Sequence, residues 1–207
     1  MAAFVLLLSV ACGAISDEST GFIVTIEEKD NYVNALSLSE TRTFDLSVKS
    51  LKYPIVGGVS NISKNSLPDD LDGDDGGDHC GKNYLAYTFF LKNVGDSALP
   101  CGYKIYLSDV TNNIDSALRV RVFINDDGEY SNSIDYAKAA ADGQPEPETK
   151  PFLTETIVTA GEIADCQPGA IKRFTLVMWL EGDDPECTDD IIGGKVNIRM
   201  SFSALQA

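Results

Sequence analysis

Residues able to do chemistry are few in this chain, and histidine is the scarcest of them. The 207 residues include one histidine, His79, next to Cys80 in an Asp- and Gly-rich loop. A zinc protease needs two histidines one helical turn apart with a glutamate, and a nucleophilic hydrolase needs a base beside its serine or cysteine. Neither pattern occurs, nor does a Gly-rich phosphate loop followed by Lys-Ser/Thr. The sequence therefore predicts a protein that is not an enzyme, with His79 a solvent-exposed loop residue.

Closely spaced carboxylates in residues 69–78 are the best candidates for an ion site. Asp70, Asp72 and Asp74 have the alternate spacing of the first ligands of a calcium loop, and Asp78 follows. Calcium takes about six to eight oxygen ligands, and glycines let the backbone curl around it. The closing bidentate glutamate is missing, and the glycine falls one place late. Two interpretations stay open: a calcium site at these four residues, or an acidic insertion that binds nothing.

Cysteines support the sharpest structural inference. Cys12 lies in an apolar N-terminal run, and Cys80, Cys101, Cys166 and Cys187 remain. An even number in an exported domain predicts two disulfides with three connectivities. Each sequential pair encloses a predicted strand of about ten residues, roughly 33 Å long, whereas bridged Cα atoms lie within about 7 Å. If those two strands are antiparallel, Cys80 pairs with Cys187 and Cys101 with Cys166; the alternative is four buried free thiols.

Charge and composition restrict the class of partner. The formal net charge is −16 and 43% of residues are apolar, while the isoelectric point is near 4.3. Such a field repels nucleic acid and anionic lipid, so neither is an expected partner. The acidity is typical of a soluble secreted protein, and divalent cation binding is the alternative. The apolar content is sufficient for one core, which predicts a single domain over 16–207.

The first fifteen residues predict a targeting segment. The run Ala2–Ala14 is uncharged and ends in small residues. It is too short to span a bilayer but fits a signal peptide, which predicts a secreted or cell-surface protein with no transmembrane span in the mature chain. No Lys or Arg precedes the run, unlike the usual signal peptide. Lipidation of Cys12 is the alternative to cleavage after residue 15.

Alternating apolar residues and turn-rich connections predict an all-β chain. The predicted strands are Gly21–Glu27, Thr41–Ser50, Tyr84–Asn93, Gly102–Leu107, Ala117–Asn125, Thr154–Thr159, Ile171–Glu181 and Gly194–Ala204. Short helical turns are predicted at Asn112–Ser116 and Pro185–Ile192, with Asp184 as a helix cap and Asp142–Glu148 as a solvated loop. The arginines of the alternating strands, Arg119, Arg121 and Arg199, are expected to point to water. The strand around Trp179 is apolar on both sides and predicts burial on both faces. Together these features predict a two-sheet antiparallel sandwich of jelly-roll type.

Several of these segments resemble the TasA/camelysin-like exported β-sandwich proteins of Gram-positive bacteria. The resemblance is carried by the short leader followed by Asp17–Thr20, by Tyr84–Asn93, by Leu118–Val122 and by the Trp179–Gly182 strand with its Asp-Asp-Pro-Glu-Cys extension. It implies a jelly-roll subunit of the cell surface or of a biofilm extracellular matrix. In fibre-forming relatives the N-terminal strand of one subunit completes the sheet of the next, a role that would fall here to Phe22–Ile26.

Two classes of function follow from these observations. The first is a non-catalytic structural protein that self-associates into fibres. The alternative is an extracellular carbohydrate- or calcium-binding module. Sugar-binding platforms usually expose aromatic rings, whereas Trp179 is predicted to be buried. No resident cofactor is expected for either, calcium apart.

Overall fold

The computed structural model describes residues 21–28, 34–54, 58–73, 76–126 and 133–205. Within these ranges the chain forms twelve strands in two packed sheets, which confirms the predicted all-β sandwich. The strands are β1 Gly21–Ile26, β2 Leu36–Ser39, β3 Ser50–Pro54, β4 Gly77–Asp78, β5 Tyr84–Asn93, β6 Leu99–Ser108, β7 Leu118–Asp126, β8 Ser133–Ala137, β9 Lys150–Pro151, β10 Ile157–Cys166, β11 Ile171–Leu180 and β12 Asn197–Ala204. Two short 3₁₀ helices cover Lys64–Ser66 and Asp189–Ile191.

The two sheets differ in size and in strand order. Sheet I has five strands in the order β10-β6-β12-β1-β3. Sheet II has seven, in the order β2-β5-β11-β7-β8-β9 with β4 also pairing with β5. Most pairs are antiparallel, as predicted, but β1 runs parallel to β12 and β8 parallel to β9. The parallel β1–β12 pair places the first and last described strands side by side.

Period-two alternation explains how the core forms between the sheets. Along β12 the side chains of Ile198, Met200 and Phe202 are buried, and the residues between them face outward. Phe202 packs edge-on against Phe174 of sheet II with ring centroids 4.9 Å apart, and Phe174 stacks on Phe89 at 5.4 Å. Such aromatic contacts add to the area that each ring buries. The main core therefore draws on both sheets.

Strand β11 is buried on both faces, as its sequence predicts. Its inner face joins the main core, while Val177 and Trp179 point to the outer face of sheet II. There they pack against Leu67 and Leu71, which belong to the segment 58–73 that crosses this face. Trp179 is consequently only 1% exposed. A covering segment, rather than the opposite sheet, buries this side.

The predicted strand Thr41–Ser50 is wrong. Before its last residue only Val48 pairs, in an isolated bridge to Leu38; β2 precedes the segment and β3 begins at Ser50. Leu46, which should face the core, is 71% exposed, and Phe44 adopts a positive φ of 56°. The apolar side chains that alternate along this segment have no neighbouring sheet to pack against. Strands β2, β4, β8 and β9 were missed, and the predicted Thr154–Thr159 covers only the start of β10, whereas Tyr84–Asn93 was predicted to the residue.

The predicted leader, 1–15, with Cys12 lies outside the described residues. No helix in the described ranges is long and apolar enough to cross a membrane.

Candidate functional site

The first candidate is the slot in sheet I that β1 occupies. β1 lies between β12 and β3, with Val24 opposite Met200 on one side and Leu51 on the other. Phe22 and Val24 are 1% and 0% exposed. The inward ring of Phe22 reaches sheet II, where its centroid lies 5.5 Å from that of Tyr87. β1 therefore completes the core and not only the sheet.

Two further contacts determine where β1 begins. The Gly21 backbone nitrogen donates to Asn197 Oδ1 at 2.9 Å. A Cβ on Gly21 would lie 2.7 Å from the Tyr53 carbonyl oxygen, so the close approach of β3 requires glycine here. The slot thus accepts an apolar strand in one register, with a glycine at its start.

The second candidate is a cleft of about 780 Å³ on the outer face of sheet II, which we call the ionic cleft. Arg119 Nη2 lies 2.5 Å from Asp184 Oδ2 and 3.1 Å from Glu146 Oε2. The three side chains are 5%, 0% and 7% exposed. Burial raises the pKa of Glu146, and the charge of Asp184 adds to the rise while Arg119 opposes it. One guanidinium therefore serves two nearly buried carboxylates.

A second ion-pair group lies beside it. Arg121 binds Asp135 through two hydrogen bonds of 2.7 and 3.0 Å, and Lys64 lies 3.1 Å from the same carboxylate. Burial alone would raise the pKa of Asp135, but the hydrogen bonds and charges of Arg121 and Lys64 lower it. The Arg121 guanidinium also lies 5.4 Å from the centre of the Trp179 ring.

Protein donors occupy the carboxylates around the cleft. Glu181 accepts hydrogen bonds from Trp179 Nε1 at 2.9 Å and from the Lys64 backbone nitrogen at 3.1 Å. Asp184 also accepts one from the Glu186 backbone nitrogen at 2.7 Å. The Trp179 ring is too buried to stack on a sugar. The arrangement holds the loop that contains Glu146 against sheet II.

Three expectations for this region were wrong. Arg119 is buried, and Arg121 is half-buried and paired, rather than pointing to water. Asp184 caps a turn at Glu186 and not a helix; the 3₁₀ helix begins later, after Thr188, without a side-chain cap. The loop containing Glu146 is held by Arg119 and is not simply solvated. The errors at Arg119 and at Glu146 have one cause: these two residues pair with partners that lie far away in the sequence.

Two of the four residues of the predicted calcium loop accept hydrogen bonds from protein donors. Asp72 is buried and accepts hydrogen bonds from Arg173 at 2.8 Å, from Asn125 at 2.5 Å and from Thr175 at 3.0 Å. Asp78 accepts one from the Cys80 backbone nitrogen. Asp74 lies outside the described residues, and Asp70 is exposed. Among the residues described, no group of three or more carboxylate, histidine or cysteine ligands is placed to hold a metal ion.

The sequence does contain a signal for the burial of Asp72, namely polar residues within the buried strands. Thr175, fully buried in the middle of β11, also contacts Thr88 through its hydroxyl at 2.7 Å. Buried polar groups need partners, so these strands required an acidic residue from elsewhere in the chain. His79, beside this group, is half-buried, with Nε2 3.1 Å from the Leu71 carbonyl oxygen.

Four described cysteines are free thiols, and two of them are neighbours. Cys101 of β6 and Cys166 of β10 are fully buried on adjacent strands of sheet I, and each thiol affects the pKa of the other. The neighbouring Cys166 thiol, with burial, raises the pKa of Cys101, and the Cys101 thiol lowers the pKa of Cys166. Their predicted pairing stays a prediction that this proximity supports.

The other predicted pair has separate partners. Cys80 Sγ accepts a hydrogen bond from the Ala86 backbone nitrogen at 3.2 Å, and Cys187 Sγ accepts one from Asn61 Nδ2 at 3.3 Å. Burial, followed by the hydrogen bond with Asp78, raises the pKa of Cys80 to about 11. Strands β5 and β11 are antiparallel neighbours, as the disulfide argument assumed.

Comparison with known proteins adds no relative to this description. No protein-family model matches the chain, and no curated protein matches it either.

Proposed function

We propose that this chain is an exported, non-catalytic structural protein of the cell surface or extracellular matrix, which assembles by exchanging β1 between copies. The observation that supports this proposal is the place of β1. An N-terminal strand fills a slot between two strands that are distant in the sequence, and it contributes two fully buried side chains to the core. Sequence resemblance to exported fibre subunits points in the same direction.

The physical basis is that the slot makes the same contacts whichever copy supplies the strand. Exchange of an identical element between protomers therefore has a small free-energy difference at equilibrium. An empty slot would expose the backbone groups of β12 and β3 together with the core beneath them. When each copy donates to the next, the contact is head-to-tail and extends into a filament.

A disulfide trap tests this mechanism directly. Thr25 and Ser201 are direct partners on the outer side of the β1–β12 pair. Neighbouring strands lie about 4.8 Å apart, within the range of Cα separations of about 4.4–6.8 Å that disulfides accept. We expect the Thr25→Cys/Ser201→Cys variant, oxidised as a monomer, to remain monomeric. Oxidised after assembly, it should give covalent multimers on a non-reducing gel.

The control for this trap is Thr25→Cys alone, which lacks the partner thiol and should give no ladder of multimers. Monomers crosslinked internally, recovered from preformed assemblies, would show that β1 stays in its own subunit. That result would contradict strand exchange.

The alternative, a carbohydrate-binding module, would use the ionic cleft. Its volume suits a small ligand, but its carboxylates are engaged by protein donors and its tryptophan is buried. Calorimetric titration with soluble glycans would detect such binding.

A further inference from the structure

Sheet I ends on one side in a long, open edge strand. Within the described ranges, β10 pairs with β6 and has no strand on its other side. The strands at the other ends of the two sheets are short: β2 has four residues, β3 has five and ends in Pro54, and β9 has two and ends in Pro151. Short length and proline both protect a sheet edge from further pairing. β10 has ten residues and no proline.

The middle of β10 keeps its outward backbone groups free. At the start of the strand, the Val158 carbonyl oxygen accepts a hydrogen bond from the Leu153 backbone nitrogen at 3.4 Å. At its end, the Cys166 carbonyl oxygen accepts one from Asn93 Nδ2 at 2.7 Å. Among the described residues, no backbone hydrogen bond joins 159–165 to any element except β6. Since alternate residues of an antiparallel pair turn N–H and C=O away from the partner strand, this stretch presents a row of donors and acceptors.

The side chains of this stretch do not cover that row. Ala160 and Glu162 are exposed, and Gly161 between them has no side chain. A Cβ on Gly161 would lie 2.5 Å from the Tyr103 hydroxyl oxygen, so the Tyr103 ring occupies that position instead. Register irregularities, which protect many edge strands, lie towards the two ends of β10 and leave Thr159–Ile163 regularly paired with β6.

The charges near this edge are complementary to those of a second copy of the same edge. In an antiparallel pair of two β10 strands centred on Gly161, Glu162 of each copy lies opposite Ala160 of the other. Like charges therefore do not meet directly across the contact, where they would destabilise it. Lys104 lies opposite Ala160 within its own sheet, so it shares a row with Glu162 of the second copy.

This row allows an ion pair between copies. The backbones of Lys104 and of the second copy's Glu162 would be two strand spacings apart, roughly 9–10 Å, with the small side chain of Ala160 between them. The Lys104 ammonium group lies 5.1 Å from the centre of the Tyr106 ring. An ammonium group has three donors, so this ring contact is compatible with a carboxylate on another side.

We propose that β10 of one copy pairs antiparallel with β10 of a second copy and joins two five-stranded sheets into one sheet of ten strands. The contact uses the same surface on both copies, so it is two-fold and closes at the dimer. It goes beyond the strand exchange proposed above and does not depend on it, because β1 lies three strands away from β10 in sheet I. Where copies are also linked by strand exchange, the same contact joins two filaments side by side.

The size of the edge determines how strong this contact is. The open stretch, 159–165, is much smaller than the roughly 20–30 residues that each partner contributes to a stable interface. We therefore expect a reversible dimer that is populated at high protein concentration.

Sedimentation equilibrium of the locked protein, the oxidised Thr25→Cys/Ser201→Cys monomer, measures this dimer without strand exchange. Salt at about 0.15 M shortens the screening length to about 8 Å, which reduces repulsion between copies and preserves closer contacts. Ala160→Lys places a cation opposite Glu162 of the second copy, and Ala160→Glu places a like charge there. The two-fold axis makes two such pairs, so the first variant should tighten the dimer about twofold to thirtyfold. The second should weaken it by a similar factor.

Two controls separate this pairing from a general effect of charge. Ala164→Lys and Ala164→Glu make the same changes in net charge on the same strand but lie beyond the regular stretch, so they should shift the dissociation constant less. An oxidised mixture of Ala160→Cys and Glu162→Cys proteins should give more covalent dimer than either protein alone, because these two positions face each other. Circular dichroism verifies that every variant is folded.

Three outcomes would overturn edge pairing. They are a locked protein that stays monomeric at about 1 mM, Ala160 variants that act no more strongly than their Ala164 counterparts, and a cysteine mixture that crosslinks no better than its components. None of them affects strand exchange, which is judged by covalent multimers of Thr25→Cys/Ser201→Cys oxidised after assembly. Conversely, dimers of the locked protein without such multimers would leave edge pairing intact and contradict strand exchange.

Discussion

Arg119 lies between two carboxylates that have almost no contact with water. Asp184 is its closer partner and Glu146 its second. Such a pair is weak evidence for net stabilisation, since desolvation of the charges offsets their attraction. Removing one partner is different, because it leaves a buried charge without compensation.

The first prediction therefore concerns Arg119→Gln. It should lower the free energy of unfolding by about 3–5 kcal/mol, because the buried carboxyl groups of Asp184 and Glu146 would lose the guanidinium that compensates them. Urea denaturation measures this loss. Exposed Lys82→Gln is the matched control and should change stability by no more than about 0.5 kcal/mol. An Arg119→Gln protein as stable as this control would show that the ion pairs contribute little.

The second prediction concerns the proton that Glu146 binds. Its pKa is raised in the folded state by burial and by Asp184, so the folded protein binds this proton more tightly than the unfolded chain does. Stability contributed by this group should therefore fall as pH rises from the ordinary carboxyl pKa through the raised one. Glu146→Gln should flatten this part of the stability–pH curve, whereas exposed Glu162→Gln should not. An unchanged curve for Glu146→Gln would contradict the raised pKa.

At the scale of strands, the pairing of β6 with β10 brings together Cys101 and Cys166, which lie far apart in the sequence. Because β10 has a register irregularity between Ile163 and Cys166, the buried thiol of Cys166 comes close to that of Cys101. Both lie in sheet I, and the Cys166 carbonyl oxygen accepts a hydrogen bond of 2.7 Å from Asn93 Nδ2 at the end of β5. Their closeness agrees with the sequence argument, and their disulfide stays a prediction.

The third prediction is that oxidised glutathione converts this pair into a disulfide. The enclosed loop falls between the ~15-residue and ~100-residue cases, for which chain entropy predicts about 3 and about 4.7 kcal/mol of stabilisation. Denaturation with and without reductant should show a difference of this order, and Cys101→Ser/Cys166→Ser should abolish it. Peptide mapping that joined Cys101 to Cys80 or Cys187 would contradict the pairing.

Other elements show where local pattern is reliable. Strands β5 and β11 were predicted to within one residue because long apolar runs have few alternatives to a buried strand. The segment 41–50 has equally good alternation, yet Leu46 stays exposed because no second layer covers it. Alternation indicates that a face can be buried, and only a neighbouring element decides whether it is.

At the scale of the whole molecule, charge opposes the proposed assembly. The net charge of −16 repels one copy from another, whereas the proposed exchange of β1 would bring copies together. Lowering the pH towards the isoelectric point near 4.3 removes the repulsion.

The fourth prediction is that association becomes faster as pH falls from 7 towards 5. Light scattering at low salt should show this acceleration. At about 0.5 M salt the pH effect should shrink, because screening has already removed the long-range repulsion. The locked, oxidised Thr25→Cys/Ser201→Cys variant is the control for strand exchange. Association that becomes slower at lower pH would contradict a repulsion-limited rate.

By itself the sequence determined the all-β class, the doubly buried β11 and the closeness of Cys101 and Cys166. These properties depend on local apolar period and on where cysteines flank strands. Only the tertiary structure decided that Arg119 meets Asp184, 65 residues away, and that Arg173 meets Asp72, 101 residues away. The reason is physical. A polar side chain on the outer face of a strand meets water unless another segment covers that face and brings a partner. Neither the sequence of the strand nor that of the segment shows by itself that the two will pack together.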